Sequence, residues 1–394
     1  MSINITSQPN VFEFGYSPFY FQLTSTNSTK LDFQFIADVY YGYSAPITYI
    51  ERFPFPVRPD GFGLFEAGRI LENYLINEFT PASSAMTATI YSNPKYLIQF
   101  GEQYDSSTVV SAATGVTIYS GLSATTTFEI INAVHQLDDF VGLSARTFDV
   151  TTSPTPKFLT NWDLTQPYKI RLGEYMTFGM YKHYASSYTV EVYDSGTTLV
   201  STNNISNGWD SNASKYNIGV GTANLNYGTI LNSADTYIVY SSLSTSARSA
   251  SYSFDIISDC PKYDLIRVAW LNQWGSYDFW SFNLKHRTFI TRKNNEWNRH
   301  LGYGFAKGDI LRKNLNIEVK KKLQVNTDLL ETHEAEYISY LFSSPEIYLV
   351  NSDGTFIPLN YIPDEKEIKT SSNDRILQYT IDFEYGYDVQ SQRS

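Results

Sequence analysis

The sequence predicts a mainly β, β-rich multidomain protein with two packed helices and a central immunoglobulin-like or jelly-roll β-sandwich. Three observations predict this class. The chain has 394 residues, which is enough for two or three hydrophobic cores. It contains 32 Tyr and 25 Phe, while its charged fraction of 18% lies below the about 25% that is usual in soluble domains. Short runs that alternate apolar and polar residues recur along the chain, and a period of two is typical of strands.

The first predicted domain spans residues 1–150 and is β-rich with one helix. Alternating aromatic and polar residues predict strands at 11–23 and 31–43, and the polar turn between them predicts a hairpin. The stretch 53–63 contains three prolines and predicts a loop. Apolar residues at helical spacing predict a helix at 64–79 that packs on the sheet. Further strands are predicted at 86–91, 95–100, 115–120 and 126–134.

The second predicted domain spans residues 151–258 and begins with a linker at 151–156. It contains short alternating runs, some of them separated by turn residues, and it has no helical pattern. Such spacing predicts the central sandwich. The predicted strands are 168–172, 175–181, 188–194, 216–221, 236–242 and 252–257.

The third predicted domain spans residues 259–394, is of α+β type and is expected to pack against the first. A helix is predicted at 328–344, with Thr327 or Asp328 as its N-cap and Pro345 as its end. Strands are predicted at 346–350, 356–362 and 376–389.

Residues 270–282 read WLNQWGSYDFWSF, and six of these thirteen side chains are aromatic. Beyond Gly275 the aromatic residues fall on both faces of a predicted strand, which is typical of a strand covered on both sides. A core strand, a contact surface between subunits and a platform for sugars all remain open. The residues concerned are Trp270, Trp274, Tyr277, Phe279, Trp280 and Phe282.

The sequence offers no catalytic or metal-binding constellation. None of the five histidines has a second histidine at metal-ligand spacing, and His333-Glu334 lacks the rest of an H-E-x-x-H motif. There is no G-x-S-x-G motif and no P-loop. We therefore predict that the protein is not an enzyme and has neither a catalytic residue nor a metal site nor a cofactor. A single cysteine, Cys260, excludes an intrachain disulfide, and no signal peptide or membrane span is expected.

Charge is unevenly distributed along the chain. The segment from Lys285 to Lys322 carries a net charge of +8, whereas the rest carries -19, which together give the net charge of -11. Solvated strand and loop positions would explain the basic segment, as would contact with an acidic neighbouring subunit or with DNA in a central channel. A chain with separated charge can associate head to tail into a ring. The candidate contact residues are Arg287, Arg292, Lys293, Arg299, Lys320, Lys321 and Lys322.

Several stretches together resemble a family of virion structural proteins from tailed phages of Bacteroidota hosts, crAss-like phages included. The most specific stretch is the WLN-x-x-G-x-x-D/E-x-F/Y-x-F phrase, at whose F/Y position this chain has Trp280. The others are SPFYFQLTSTNSTKLDFQFIADVYY, FPFPVRPDGFGLFEAGRILENYL, FLTNWDL, YNIGVG, SSPEIYLV and ILQYTIDFEYGYD. The resemblance implies a non-enzymatic ring, collar, tube or hub protein of the neck or tail, present in several copies. It implies assembly in the bacterial host cytoplasm with other neck, tail or portal-associated proteins, and it supplies no catalytic residues.

Two functions are therefore expected to compete. The first is a structural virion component that forms a homo-oligomeric ring. The alternative is a receptor- or glycan-binding tail or baseplate protein, in which the sandwich would present exposed aromatic residues such as Trp162 or Trp209 to a polysaccharide. A glycan-degrading enzyme would need an acid pair, and the sequence nominates none.

Overall fold

The computed structural model describes residues 3–9, 12–43, 48–82, 86–89, 94–105, 117–124, 128–134, 157–181, 187–194, 198–206, 215–225, 235–243, 246–247, 249–259, 261–298, 300, 302–304, 306–308, 312–365 and 377–388. These residues form a mainly β protein, so the predicted fold class is confirmed. No helix in these ranges is both long enough and apolar enough to cross a membrane.

The N-terminal part of the chain forms two sheets that face each other. Its strands are β1 (Ile3–Ser7), β2 (Phe12–Phe14), β3 (Tyr20–Ser25), β4 (Gln34–Gly42), β5 (Thr48–Pro56), β6 (Gly63–Glu66), β7 (Met86–Ala88), β8 (Lys95–Asp105), β9 (Thr117–Ala124) and β10 (Phe128–Ile131). One sheet has the order β1-β3-β6, and the other has the order β2-β10-β8-β4-β5 with β9 paired to β8. Aromatic rings fill the space between them, and Phe21 of β3 lies 5.2 Å from Phe100 of β8 between ring centroids.

The predicted hairpin of residues 11–23 with 31–43 is wrong. The first stretch contains two strands, β2 and β3, and β3 pairs with β1 and β6 instead of β4. Phe21 and Phe35 are both fully buried in one core between the two sheets. The alternation of apolar and polar residues predicted which side chains point inward. Two strands of one hairpin and two strands in opposite layers show the same alternation, so the pattern could not distinguish them.

The predicted loop at 53–63 is also wrong in its first half, because β5 continues to Pro56. Pro54 and Pro56 lie opposite Ile36 and Gln34 of β4. No other described strand pairs with β5, so it is an edge strand. An edge strand tolerates proline, since the missing N–H is not required by a second neighbour.

The predicted helix at 64–79 is replaced by β6, a four-residue helix α1 (Gly68–Leu71) and a 3-10 turn at Glu72–Tyr74. The apolar residues of this stretch serve two different cores. Phe65 packs on Phe100 between the N-terminal sheets, whereas Phe79 stacks 4.6 Å from Tyr348 in the C-terminal part. One straight helix could not reach both places, so the chain becomes extended after Tyr74.

The middle of the chain forms a β-sandwich. Its elements are β11 (Tyr168–Arg171), β12 (Thr177–Tyr181), β13 (Ser187–Tyr193), β14 (Leu199–Ile205), β15 (Lys215–Gly219), helix α2 (Thr222–Leu225), β16 (Thr236–Leu243), β17 (Ser246–Ala247) and β18 (Tyr252–Ile257). One sheet has the order β11-β18-β16-β13-β14, with β17 paired to β16 and β11 parallel to β18. The other has the order β12-β15-β7, so a strand from the N-terminal part completes it.

The two layers of this sandwich are joined by aromatic packing and tyrosine hydrogen bonds. Tyr237 stacks on Phe254 at 4.6 Å within one sheet, and Phe178 of the other sheet lies 5.8 Å from Phe254. Tyr188 donates its hydroxyl hydrogen to the carbonyl of Gly219 across the layers over 2.9 Å. All six strands predicted for this segment are present. The edge strand β14, the two-residue strand β17 and the short helix α2 were not predicted.

The C-terminal part forms one antiparallel sheet of seven strands with a helix packed on it. Its elements are β19 (Ile266–Leu271), β20 (Tyr277–Phe282), β21 (Arg287–Asn298), β22 (Arg312–Asn326), helix α3 (Thr332–Phe342), β23 (Ile347–Val350), β24 (Phe356–Tyr361) and β25 (Thr380–Tyr385). The strand order is β20-β19-β23-β24-β25-β22-β21. The three strands predicted at the C-terminus are confirmed as β23, β24 and β25.

The second predicted helix is confirmed as α3, but its N-cap is Glu331 and neither Thr327 nor Asp328. The Glu331 side chain accepts from the backbone of Glu334, and the Glu334 carboxylate accepts from the Glu331 N–H over 3.0 Å. This reciprocal arrangement satisfies two backbone donors at once. Thr327 is buried and instead accepts a hydrogen bond from the backbone N–H of Tyr379 over 2.8 Å.

One hydrophobic core runs from the sandwich into the seven-stranded sheet, and a smaller one joins both to the N-terminal part. The larger core contains Phe254 of the sandwich together with Trp270 and Tyr337 of the C-terminal part. The smaller contains Phe14 and Trp274. The domain boundaries at 150 and 258 stay predictions, and the predicted linker lies outside the described residues.

Candidate assembly interface

Strands β21 and β22 form a hairpin that extends beyond the sheet to which it belongs. The two strands pair from Arg287 opposite Gln324 to Asn298 opposite Arg312. Strand β25 supports β22 only from Lys322 to Asn326. The arm is defined as residues 290–298 and 312–321, the part of the hairpin with no third described strand paired to it. At about 3.4 Å per residue it is about 30 Å long.

The arm has two faces of different chemistry. Because residues directly opposite each other share a face, Ile290 and Arg292 lie on the same face as Ile317 and Val319. We call this the core-side face, since it continues the row of buried Leu323 in the supported part of β22. The outer face carries Thr291, Lys293, Asn295 and Trp297 of β21.

Apolar side chains on the arm are exposed to solvent. Every residue of β21 is exposed, and the exposed fraction reaches 69% for Ile290 and 48% for Trp297. Ile317 and Val319 are half-buried. Two-stranded hairpins are marginally stable alone in water, so an arm with exposed isoleucine and tryptophan is typical of a segment that a partner covers.

The predicted basic residues fall into two groups. Arg287, Arg292 and Lys293 are exposed on β21. Lys320 and Lys321 contact β25 at the base of the arm, where Lys320 Nζ donates to Glu384 Oε1 over 2.6 Å and Lys321 Nζ lies 4.6 Å from the Tyr385 ring. Lys322 belongs with Lys320 and Lys321, since it lies opposite Glu384 in the β22–β25 ladder. Arg299 lies outside the described residues.

The hydrogen bond from Lys320 to the Glu384 carboxylate raises the pKa of Lys320 above its ordinary value. Its charge therefore has a partner within the chain. The cations that remain for a partner molecule are mainly those of β21, which sequence reasoning did not separate from the lysines of β22 because it had no strand register.

The aromatic stretch 270–282 forms the end of β19, a turn and the whole of β20. Trp270, Trp274, Tyr277, Phe279 and Phe282 are buried, and Trp280 is half-buried and packs on the same core. Trp270 contacts Tyr337 of α3 at 5.2 Å between ring centroids. The structure therefore favours the core-strand interpretation, because these rings are covered by the chain itself.

The turn between β19 and β20 is where the N-terminal part meets the C-terminal sheet. Asn272 Oδ1 accepts from the backbone N–H groups of Trp274 and Ser276 over 3.0 and 3.1 Å. Gly275 has a φ of 76°, and a Cβ there would lie 1.7 Å from the carbonyl oxygen of Asn132. Only glycine fits both the positive φ and this close approach.

A buried carboxylate, Asp278, is the second residue of β20. Asp278 accepts from the Thr160 hydroxyl over 2.6 Å and from the Asn161 backbone N–H over 3.2 Å. Burial raises its pKa to about 7 from the usual 3.8. Lys215 is a buried cation nearby, which donates to the carbonyl of Gly275, and burial lowers its pKa to about 8.

Sequence reasoning missed Asp278, Lys215 and the buried ion pair of Arg267 with Glu174. The only sequence signal for Arg267 and Asp278 is a charged residue inside an otherwise apolar strand, as in IRVAWL and YDFWSF. Lys215 and Glu174 have no such signal, since Lys215 begins its strand and Glu174 lies outside the strands. Each has partners that are distant in sequence, which explains why the pattern alone could not find them.

The glycan-binding alternative loses one of its two named residues. Trp162 is buried, packs on Tyr168 and Tyr337 at 4.9 Å each, and donates Nε1–H to the carbonyl of Gln166 over 2.8 Å. Its predicted exposure is therefore wrong. Trp209 lies outside the described residues.

A groove of about 220 Å³ lies beside Trp280, between β11, β20 and the segment before α3. Two of its carboxylates are engaged by cations: Asp259 binds Arg171 at 2.7 Å, and Glu334 binds Lys169 at 3.1 Å. Within the described ranges no three His, Cys, Asp or Glu side chains gather closely enough to hold a metal ion.

Comparison with known proteins assigns no family: no family model matches the chain, and no curated protein matches it.

Proposed function

We propose that this protein is a non-enzymatic structural component of a tailed phage virion, which assembles in several copies into part of the neck or tail. The observation that carries the proposal is the arm, a two-stranded extension about 30 Å long with exposed apolar and basic side chains. An extension of this kind is costly to leave in water and gains stability only when a partner covers it.

The placement in a virion is supported by the resemblance of sequence to structural proteins of Bacteroidota phages. Its natural partners are other neck, tail or portal-associated proteins, and assembly would take place in the host cytoplasm. The glycan-binding alternative receives less support, since Trp162 is enclosed in the core.

The experiment is the mass of the purified protein across concentration by light scattering, combined with electron microscopy and with a search for the chain in purified particles. A defined oligomer that is also found in particles would support the proposal. A strict monomer that never enters particles would refute it, and binding to a host polysaccharide panel would then be measured.

A further inference from the structure

The apolar row of the seven-stranded sheet does not stop where the core stops. On β22 the inward positions read Val325, Leu323, Lys321, Val319 and Ile317 from the base of the arm outward. The first two are fully buried, whereas Val319 and Ile317 are only partly covered, and Ile290 on the neighbouring strand is 69% exposed. A core-type pattern thus continues beyond the last residue of β22 that pairs with β25.

The charge of the molecule indicates what covers it. The segment that contains the arm carries +8, and the rest of the chain carries -19. The rest of another copy is therefore opposite in net charge to the segment that contains the arm, and such complementarity accelerates and orients association. The apolar row on the core-side face favours a protein partner over nucleic acid, since phosphates would leave Ile290, Ile317 and Val319 in water.

We infer that the arm of one copy docks, through its core-side face, onto the oppositely charged remainder of a second copy of this chain. The contact is head to tail, because the arm and the surface that receives it are different parts of the molecule. Head-to-tail contacts form a ring when the rotation from one copy to the next closes. This inference rests on the proposed assembly of several copies and adds the segment that makes the contact.

The first test removes the arm. Residues 291–320 are replaced by Asn-Gly, which closes the hairpin at Ile290 and Lys321 with a two-residue turn. The base stays paired to β25, so the rest of the sheet is retained. The armless protein is expected to be a monomer alone, yet to bind the full chain and to shorten its assemblies, because it keeps the receiving surface.

The second test changes single faces. Ile317→Asp with Val319→Asp alters the core-side face, and Thr291→Asp with Asn295→Asp adds the same charge to the outer face. The core-side variant is expected to raise the concentration needed for association by about 100-fold, since two apolar side chains lose their burial. The outer-face variant is expected to weaken association much less.

The outcomes separate the inference from the proposed function. If the full chain assembles and the armless chain assembles equally well, the inference is wrong and the structural function stands. Equal effects of the two face variants would also overturn it. If a short DNA duplex binds the full chain and both face variants leave self-association unchanged, the arm is a nucleic-acid surface and the inference fails.

Discussion

Arg267 donates from its guanidinium to the carboxylate of Glu174 over 3.0 Å, and both side chains are only 7% exposed. The pair connects the sandwich with the seven-stranded sheet, since Glu174 follows β11 and Arg267 belongs to β19. Further bonds complete it: Ser281 donates to Glu174 over 2.6 Å, and Arg267 Nε donates to the carbonyl of Tyr175 over 2.6 Å. These bonds offset part of the cost of burying the two charges, while Arg267 Nη2 is buried without a hydrogen-bond partner.

Removing one partner of this pair should be costly. Glu174→Gln leaves the Arg267 charge buried without its counterion, so we expect the free energy of unfolding to fall by about 3 kcal/mol. Urea unfolding followed by circular dichroism measures this. The matched control is Glu296→Gln, which breaks the exposed pair with Arg312 and should cost less than about 1 kcal/mol. Similar losses for both variants would contradict the joining role of the buried pair.

Two glycines with nearly the same backbone conformation should respond differently to alanine. Gly173 and Gly275 have φ of 83° and 76°, so alanine at either is strained by about 1–2 kcal/mol. Around Gly173 there is open space, whereas at Gly275 the new Cβ would overlap the carbonyl of Asn132. Gly275→Ala should therefore lower the melting temperature several degrees more than Gly173→Ala. Equal shifts would mean that the N-terminal part does not hold this turn in place.

Asp278 should make stability fall with rising pH. Its pKa is about 7 in the folded chain against 3.8 when unfolded, so between these values the folded state binds more protons. Its contribution is fully present below pH 3.8 and is lost as pH rises through about 7. Unfolding free energies measured from pH 5 to pH 8 should therefore decline in wild type and decline less in Asp278→Asn. The same slope in both proteins would remove Asp278 as the cause.

Lys215 should act in a different pH window and with the opposite sign. Burial lowers its pKa to about 8 from 10.5, so in that interval the unfolded state binds more protons. Its contribution is present above pH 10.5 and is lost as pH falls through about 8. Lys215→Met should flatten the rise in the free energy of unfolding between pH 8 and pH 10.5. The matched control, Lys307→Met at an exposed position, should leave that rise unchanged.

Two tryptophans distinguish a core role from a surface role. Trp162→Ala should lower the free energy of unfolding by about 3–5 kcal/mol, because the side chain is buried among Tyr168, Tyr337 and His333. Trp297→Ala on the arm should leave it nearly unchanged, since that side chain is half exposed. If Trp162→Ala were fully stable but lost binding to a polysaccharide, the glycan-binding alternative would regain support.

Alternation predicted most strands because it depends only on which side chains face inward. The runs at 188–194 and 236–242 appear as β13 and β16 nearly as expected. Alternation did not predict which strands pair with each other. The layer in which β3 lies is set by its neighbours β1 and β6, which alternation within β3 does not identify. The stretch 64–79 failed for a related reason, as its apolar residues are divided between two cores.

The candidate interface was only half predictable. Charge counting found the basic segment, but the division between exposed Arg292 and the partnered Lys320 depends on where β25 ends. That end is a tertiary feature, with no signal in the local sequence. The buried charges were missed because a single Asp or Arg in an apolar strand looks the same whether its partner is water or a polar group distant in sequence.

Strand β7 has a consequence for how the protein is made. Met86 pairs with Ile218, which a ribosome adds more than a hundred residues later. Until then β15, the strand between β7 and β12 in one layer of the sandwich, is missing. The chain must close a long loop before that contact stabilises anything. We therefore expect slow folding that completes only after most of the chain has emerged. A sandwich excised at residue 151 would lack β7, so the edge of β15 would stay unpaired and open to aggregation.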